Sequence, residues 1–153
     1  MRAIEPWVEG PLLTFLDESA ARITLLMTAS GQVVAQHGFL RSLDVMAAAA
    51  LGAGIMASTE ALARLMSSTG FDALVQQGSR QGMFLAGFDT PRGRWVGLVV
   101  YGPETSVGIV QLFFERMVTA LVSATPERQP PSTVLADNFE HELNASLRAL
   151  FGR

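Results

Sequence analysis

Residues 22–67 read RITLLMTASGQVVAQHGFLRSLDVMAAAALGAGIMASTEALARLMS. The first half of this stretch holds two β-rich runs, 22–30 and 32–37, separated by Ser30-Gly31, a dipeptide that is typical of a hairpin turn. The second half is rich in alanine and leucine from Asp44, a good N-cap, to Ser67, and this composition predicts one long helix. A strand hairpin followed at once by a long helix is therefore the centre of the predicted fold.

Further elements are predicted on both sides of this stretch. Pro11 and the leucines after it predict a short opening helix with proline in its first turn. Three more strands are predicted near 71–77, 83–88 and 95–101, and then a helix from about 106 to 123 with a broad apolar face. Both faces of the strands are largely apolar, so helices should cover both. We expect an α+β fold, a three-layer α/β/α sandwich around a five-stranded, mainly antiparallel sheet.

Two segments follow this sandwich. The sequence predicts residues 1–124 as one domain, 125–133 as a proline-rich linker and 134–153 as an amphipathic C-terminal helix. One side of that helix carries an apolar stripe, which either docks on its own domain or binds a partner. The stripe consists of Phe139, Leu143, Leu147 and Leu150.

Composition excludes several kinds of chemistry. The 153 residues are 49% hydrophobic and 16% charged, with 11 arginines against 14 acids, a net charge of −3, and neither cysteine nor lysine. Without these two residue types there is no disulfide, zinc–thiolate site, Schiff-base amine or Walker lysine. A weakly charged, acidic chain is a poor binder of nucleic acid. The first ten residues lack a signal-peptide pattern and the uncharged segment Val45–Thr59 is shorter than a membrane span, so we expect a cytoplasmic protein.

No motif indicates an active site. Gly52 to Ala57 match a dinucleotide-binding fingerprint by their letters, but that motif must follow a strand and open a helix, whereas these residues lie within a predicted helix. Glu140-His141-Glu142 lacks the histidine spacing of a zinc protease helix, and His37 has no evident partner. We expect no catalytic residue, metal or cofactor. Four arginines are candidates for an arginine finger, although surface arginines more often serve solubility: Arg41, Arg64, Arg92 and Arg94.

The long helix divides into several surfaces when its residues are placed at 100° intervals. Its bulkiest side chains form a stripe that we assign to the sheet: Leu51, Ile55, Leu62, Leu65 and Met66. Glu60 and Arg64 mark the solvent side as an i,i+4 ion pair. A small strip and an opposite flank lie between these surfaces. The small strip consists of Ala50, Gly54, Ala57 and Ala61, and the flank of Val45, Gly52, Met56, Thr59 and Ala63.

The two glycines within this helix each cost about 1 kcal/mol relative to alanine. That cost is explained where another backbone approaches closely, and a chain of this length has few elements left to cover both flanks. The helix therefore predicts an interface, with self-association as the first hypothesis. The alternative is an alanine-rich helix that its own fold buries on several sides.

The order of these elements resembles the roadblock (dynein light chain) family. The resemblance covers about residues 22–123 and rests on the strand and hairpin return 23–35, the long small-residue helix and the glycine-rich crossing 77–82. Within the family, the chain is similar to the bacterial MglB-type branch through residues 59–65 and 75–78, together with Phe71. The proline-rich linker and terminal helix are also shared with that branch.

The resemblance implies a homodimer in which the long helices pair and the third strands of the family pattern join two sheets. It also implies a client, a small Ras-like GTPase of the MglA type that rests on the helical face. MglB-like dimers serve cell polarity and stimulate GTP hydrolysis by remodelling the switch regions of the GTPase, without an arginine finger. An adaptor that binds a partner without affecting hydrolysis is the alternative, and a nucleotide-binding enzyme or sensor rests on the glycine motif alone.

The resemblance assigns residues to both interfaces, while the sequence leaves open which helix flank has which role. The expected GTPase contacts are Ala50, Gly54, Ala57, Glu60, Ala61 and Arg64. The expected dimer contacts are Gly52, Met56, Thr59, Ala63, Phe71 and Leu74.

Overall fold

The computed structural model describes residues 1–67, 73–127 and 143–150. In chain order its elements are β1 (Arg2–Ala3), α1 (Pro6–Ser19), β2 (Ile23–Thr28), β3 (Val33–His37), α2 (Ser42–Leu65), β4 (Ala73–Gln77), β5 (Gly82–Thr90), β6 (Gly93–Tyr101) and α3 (Val107–Ala124). Residues 143–150 are also helical. Parts of the predicted linker and C-terminal helix, 128–142 and 151–153, lie outside the described residues, so that division of the chain stays a prediction.

The strands form one antiparallel sheet in the order β1-β3-β2-β6-β5-β4. The sheet has six strands where the sequence predicts five, because Arg2 and Ala3 pair with Gln36 and Ala35 at one edge. A two-residue strand is too short for an alternating pattern. Helices α1 and α3 pack on one face and α2 on the other, so the expected three-layer α/β/α sandwich is confirmed.

Aromatic rings fill the layer between the sheet and helices α1 and α3. The ring of Phe114 lies 5.2 Å from that of Phe84, 5.7 Å from Phe88 and 6.1 Å from Phe15, each edge to face. This ring also explains Gly97 in β6, because a Cβ there would lie 2.4 Å from the Phe114 side chain. Phe114 is thus the centre of this part of the core.

Two helices begin earlier than the sequence predicts. Helix α1 starts at Pro6, so Pro11 lies inside the helix and not in its first turn. Helix α2 starts at Ser42 after Arg41, which makes Asp44 a first-turn residue and not the N-cap. The Asp44 carboxylate accepts hydrogen bonds from the Arg41 guanidinium at 3.1 and 3.3 Å. A carboxylate in the first turn also interacts favourably with the helix dipole.

Helices α2 and α3 are each long and apolar enough, by length and composition, to cross a membrane. The uncharged segment Val45–Thr59 is shorter than a membrane span, but the helix that contains it, α2, has 24 residues. Both helices pack one side against the sheet, as core helices of globular proteins do. What needs an explanation is the apolar surface on their other sides.

Candidate interaction surface

Most of the residues that helix α2 packs against the sheet are small. Its buried residues are Val45, Ala49, Gly52, Ala53, Met56 and Ala63. At Gly52 the helix lies so close to the sheet that an added Cβ would be 3.1 Å from the Met27 Cε and 3.6 Å from a Leu98 methyl. Large side chains of the sheet therefore fill the space between helix and sheet, and small residues on α2 permit the close approach.

The prediction that the bulky stripe of α2 faces the sheet is wrong. This bulky flank, as we name it, consists of Leu51, Ile55, Leu62, Leu65 and Met66, and all five side chains are exposed, from 37% at Ile55 to 84% at Leu65. The physical reason is the close approach at Gly52, which leaves no room for a large side chain at that level of the helix. The bulky flank is thus an apolar surface that the described chain leaves uncovered.

Three of the six predicted dimer contacts are buried within their own chain. Gly52, Met56 and Ala63 are buried against their own sheet, so they are not available to a second chain and that assignment is wrong. Thr59 is partly buried and donates its hydroxyl to the carbonyl of Ile55 at 2.8 Å. Leu74 packs against the hydrophobic cluster between α2 and the sheet, and Phe71 lies outside the described residues.

The small strip predicted for the GTPase stays on the outside of α2. Ala50, Gly54 and Ala57 are exposed, as is Arg64, while Glu60 and Ala61 are partly buried. A Cβ built on Gly54 meets nothing within 4 Å. We name these six residues the small flank. Its small side chains leave the α2 backbone accessible to another molecule.

The expected ion pair between Glu60 and Arg64 is not among the ion pairs of the described residues. Glu60 instead accepts a hydrogen bond from Arg94 of β6 at 3.0 Å, and Arg94 also reaches Asp89 at 3.2 Å. Burial alone would lower the pKa of Arg94, but these two carboxylates outweigh it and raise that pKa. Glu60 therefore ties α2 to the β5–β6 turn, and Arg64 supplies the exposed charge of the small flank.

Strand β4 forms one edge of the sheet. It pairs with β5 on one side, and no described residue pairs with its other side. Val75, Gln76 and Gln77 are exposed there. An unpaired strand edge presents backbone donors and acceptors that another chain can complete. Strand β4 corresponds to the third predicted strand, 71–77, and the resemblance to the roadblock family implies that such third strands join two sheets.

The described part of the C-terminal helix exposes Leu143, Leu147 and Leu150. Phe139, the remaining member of the predicted stripe, lies outside the described residues. Whether the stripe serves its own domain or a partner stays a prediction.

The described residues offer little for catalysis. They contain no group of three or more histidines and carboxylates that could hold a metal ion. Gly52 to Ala57 lie in the middle of α2, so their backbone N–H groups belong to the helix and not to a phosphate loop. Burial, together with the N-terminal amine, lowers the pKa of His37. Among the four candidate arginines, Arg41, Arg92 and Arg94 are held in ion pairs.

Comparison with known proteins supports the fold. No family model and no curated protein matches the sequence. Among solved structures, the gliding protein MglB from Thermus thermophilus is 28% identical, with a TM-score of 0.66 over 77% of this chain and 87% of that one. Myxococcus xanthus MglB is 21% identical, with a TM-score of 0.69 over 78% and 95%. A Roadblock/LC7 domain from Streptomyces avermitilis is 16% identical, with a TM-score of 0.61 over 71% and 89%.

Proposed function

We propose that this roadblock-family protein, which is similar to MglB, is a homodimeric, non-enzymatic regulator of a small Ras-like GTPase of the MglA type. In this proposal it stimulates GTP hydrolysis by remodelling the switch regions of the GTPase. One observation carries the proposal: α2 is apolar on nearly all sides, yet its own sheet covers only one. A helix with this pattern is normally buried, and a large exposed apolar patch marks an interaction site.

We assign the bulky flank to a second copy of the chain. Burial of large apolar side chains such as leucine gives a large gain in free energy. In a two-fold symmetric dimer both copies of each leucine are buried, so this gain counts twice. The free edge of β4 supports the same arrangement, because a second copy of that strand would complete its backbone hydrogen bonds. This assignment replaces the predicted dimer contacts that the fold buries.

We assign the small flank to the GTPase. Ala50, Gly54 and Ala57 let the backbone of a partner approach, and Glu60 and Arg64 give the surface a polar border. Interfaces that form and dissociate carry such a polar rim around a less polar centre. Arg64 is the one small-flank residue with a positive charge, it is exposed, and the proposal does not require it to enter the active site of the GTPase.

The direct test is GTP hydrolysis by an MglA-type GTPase with and without this protein. We expect the wild type to accelerate hydrolysis. Gly54→Arg should lower that acceleration at least about tenfold, since a charge at the centre of an interface costs about 1.4 kcal/mol or more. Gly108→Arg is the matched control. It places the same side chain at an exposed helical glycine on α3, across the sheet from α2.

The oligomeric state separates the two flanks. Gly54→Arg should stay dimeric while losing the GTPase, if the small flank binds the client. If Gly54→Arg instead dissociates the dimer, the small flank is the dimer interface and the bulky flank is the one left for the GTPase. A wild type that leaves GTP hydrolysis unchanged would contradict the proposed stimulation.

The second candidate is a roadblock adaptor that binds a GTPase without affecting hydrolysis. It is favoured by the small flank itself, where Glu60 and Arg64 are the only charged groups and Glu60 is already bound to Arg94. Binding of the GTPase with an unchanged hydrolysis rate would select this function. For either function we propose action in the cytoplasm, in cell polarity, where the regulator would meet its GTPase.

A further inference from the structure

A cavity of about 440 Å³ lies away from α2, between the start of α1, the β2–β3 hairpin and the β5–β6 turn. Its walls include Glu5, Trp7, Gln32, Val34, Arg92 and Trp95. The Trp7 and Trp95 rings are stacked, with centroids 5.8 Å apart and an angle of 23° between their planes. The cavity thus combines a flat aromatic wall with one arginine and one carboxylate.

Arg92 is held beside this wall with an unfilled hydrogen-bonding edge. Its Nη1 donates to the Glu5 carboxylate at 3.1 Å, and its guanidinium lies 5.9 Å from the centre of the Trp7 ring. The side chain is only 19% exposed, and its Nε is buried without a hydrogen-bond partner among the described residues. A buried donor without a partner costs about 1–3 kcal/mol, so the position of Arg92 requires an explanation.

The other paired arginines of the described chain show what this edge normally does. Arg22, Arg41 and Arg94 each donate from Nε to a carboxylate, at 2.8, 3.1 and 3.0 Å. Arg22 and Arg41 add a second bond from Nη2 to the same carboxylate, at 3.0 and 3.3 Å. This side-by-side geometry is the strongest arrangement of arginine with a carboxylate. Arg92 is the exception among these four, because Nη1 alone makes its pair.

We propose that the cavity binds a carboxylate side chain of a partner protein through the Nε–Nη2 edge of Arg92. Arg94 shows that one guanidinium in this fold can serve two carboxylates, since it binds both Glu60 and Asp89. The stacked tryptophans favour an apolar residue beside the acidic one, because packing on the rings removes the apolar surface of that residue from water. Binding through this edge requires a small rotation of the Arg92 side chain, because Nε is buried.

The two tryptophans are the only ones in the chain, so their indole N–H signals in an NMR spectrum report on the cavity directly. The probes are two capped peptides, acetyl-Gly-Leu-Glu-Leu-Gly-amide and the same peptide with glutamine in place of glutamate. We expect the glutamate peptide to shift the Trp95 signal with a Kd of about 1 mM or below. The glutamine peptide should bind at least about tenfold more weakly, since it lacks the charge.

Two variants of the full chain separate recognition from structural support. Arg92→Lys keeps the positive charge beside Glu5 but lacks the two parallel N–H donors of a guanidinium. It should therefore raise the Kd of the glutamate peptide about tenfold. Glu5→Gln removes a competing and repelling carboxylate, so it should tighten that peptide several-fold. The Trp95 signal is used in both cases, because Trp7 donates its own indole N–H to Glu5.

Several results would overturn the proposal. Equal binding of the two peptides, an unchanged Kd in Arg92→Lys, or weaker binding in Glu5→Gln would each show that Arg92 does not recognise a carboxylate.

Discussion

Replacing Leu62 with alanine tests whether the bulky flank of α2 is the dimer interface. Leu62 points away from its own sheet and is 51% exposed. The substitution keeps a good helix former at this position, so the helix itself should be unaffected. Any effect on the association of two chains would therefore come from lost contact between them.

The size of the effect follows from the exposed fraction. Leucine-to-alanine removes three carbon groups, each of which contributes about 0.8 kcal/mol when fully buried. Since about half of the Leu62 side chain remains to be buried by a partner, the loss is about 1.2 kcal/mol for each chain. Two-fold symmetry doubles it to about 2.4 kcal/mol, which raises the dimer Kd about fiftyfold.

Sedimentation equilibrium over a range of protein concentrations measures this Kd. Leu112→Ala is the matched control, because Leu112 is the same residue on α3, on the other face of the sheet, with 46% of its surface exposed. We expect the control to leave the Kd unchanged. Equal effects of the two substitutions, or no effect of Leu62→Ala, would refute the assignment of the bulky flank to the dimer.

Three further substitutions test the packing and the charges. Phe114→Ala removes the ring at the centre of the aromatic layer and should cost about 3–5 kcal/mol, seen as a fall of about 10 °C in Tm; a change of a degree or two would contradict that packing. Gly54→Ala should raise the free energy of unfolding, measured by chemical denaturation, by up to about 1 kcal/mol. Gly52→Ala should stabilise the chain less, because its new methyl group meets Met27. The reverse order would contradict the rotation of α2 described above. The hydrogen bonds from Arg22 lower the pKa of Glu104, so this pair stabilises the fold above the ordinary carboxylate pKa and loses its effect as the pH falls through the lowered value. Arg22→Gln should raise the Glu104 pKa toward its ordinary range in an NMR titration, and an unchanged pKa would exclude this cause.

Local patterns in the sequence were sufficient for most strands. The strands β2, β3, β5 and β6 lie within one or two residues of the predicted runs, because alternating apolar residues and turn glycines mark them. Strand β1 was not predictable in this way. Its existence depends on the pairing of Arg2 and Ala3 with residues more than thirty positions along the chain, and no window of a few residues contains that information.

The rotation of α2 was the main error, and it has a specific cause. A helical wheel is oriented by its polar face, but α2 has apolar residues on nearly all sides. The sequence pattern places Glu60 on the solvent side, but Glu60 reaches back to Arg94 on the sheet and is partly buried. The signal that was available is the run of small residues Ala49, Gly52 and Ala53. Such residues suit a face that lies close to a sheet as well as a face that meets another helix.

The inversion of size across α2 explains why composition alone could not distinguish core from interface. Met27 and Leu98 project from the sheet and fill the space beneath Gly52, so the inner contact is complete without any leucine from the helix. The exposed leucines therefore contribute little to the stability of the single chain, and in water they are a liability for solubility. A wider gap between α2 and the sheet would instead have accommodated the leucines and left the small residues outside. The exposed apolar side of α2 is best explained by association, which is why the oligomeric state is the measurement that bears most directly on the function.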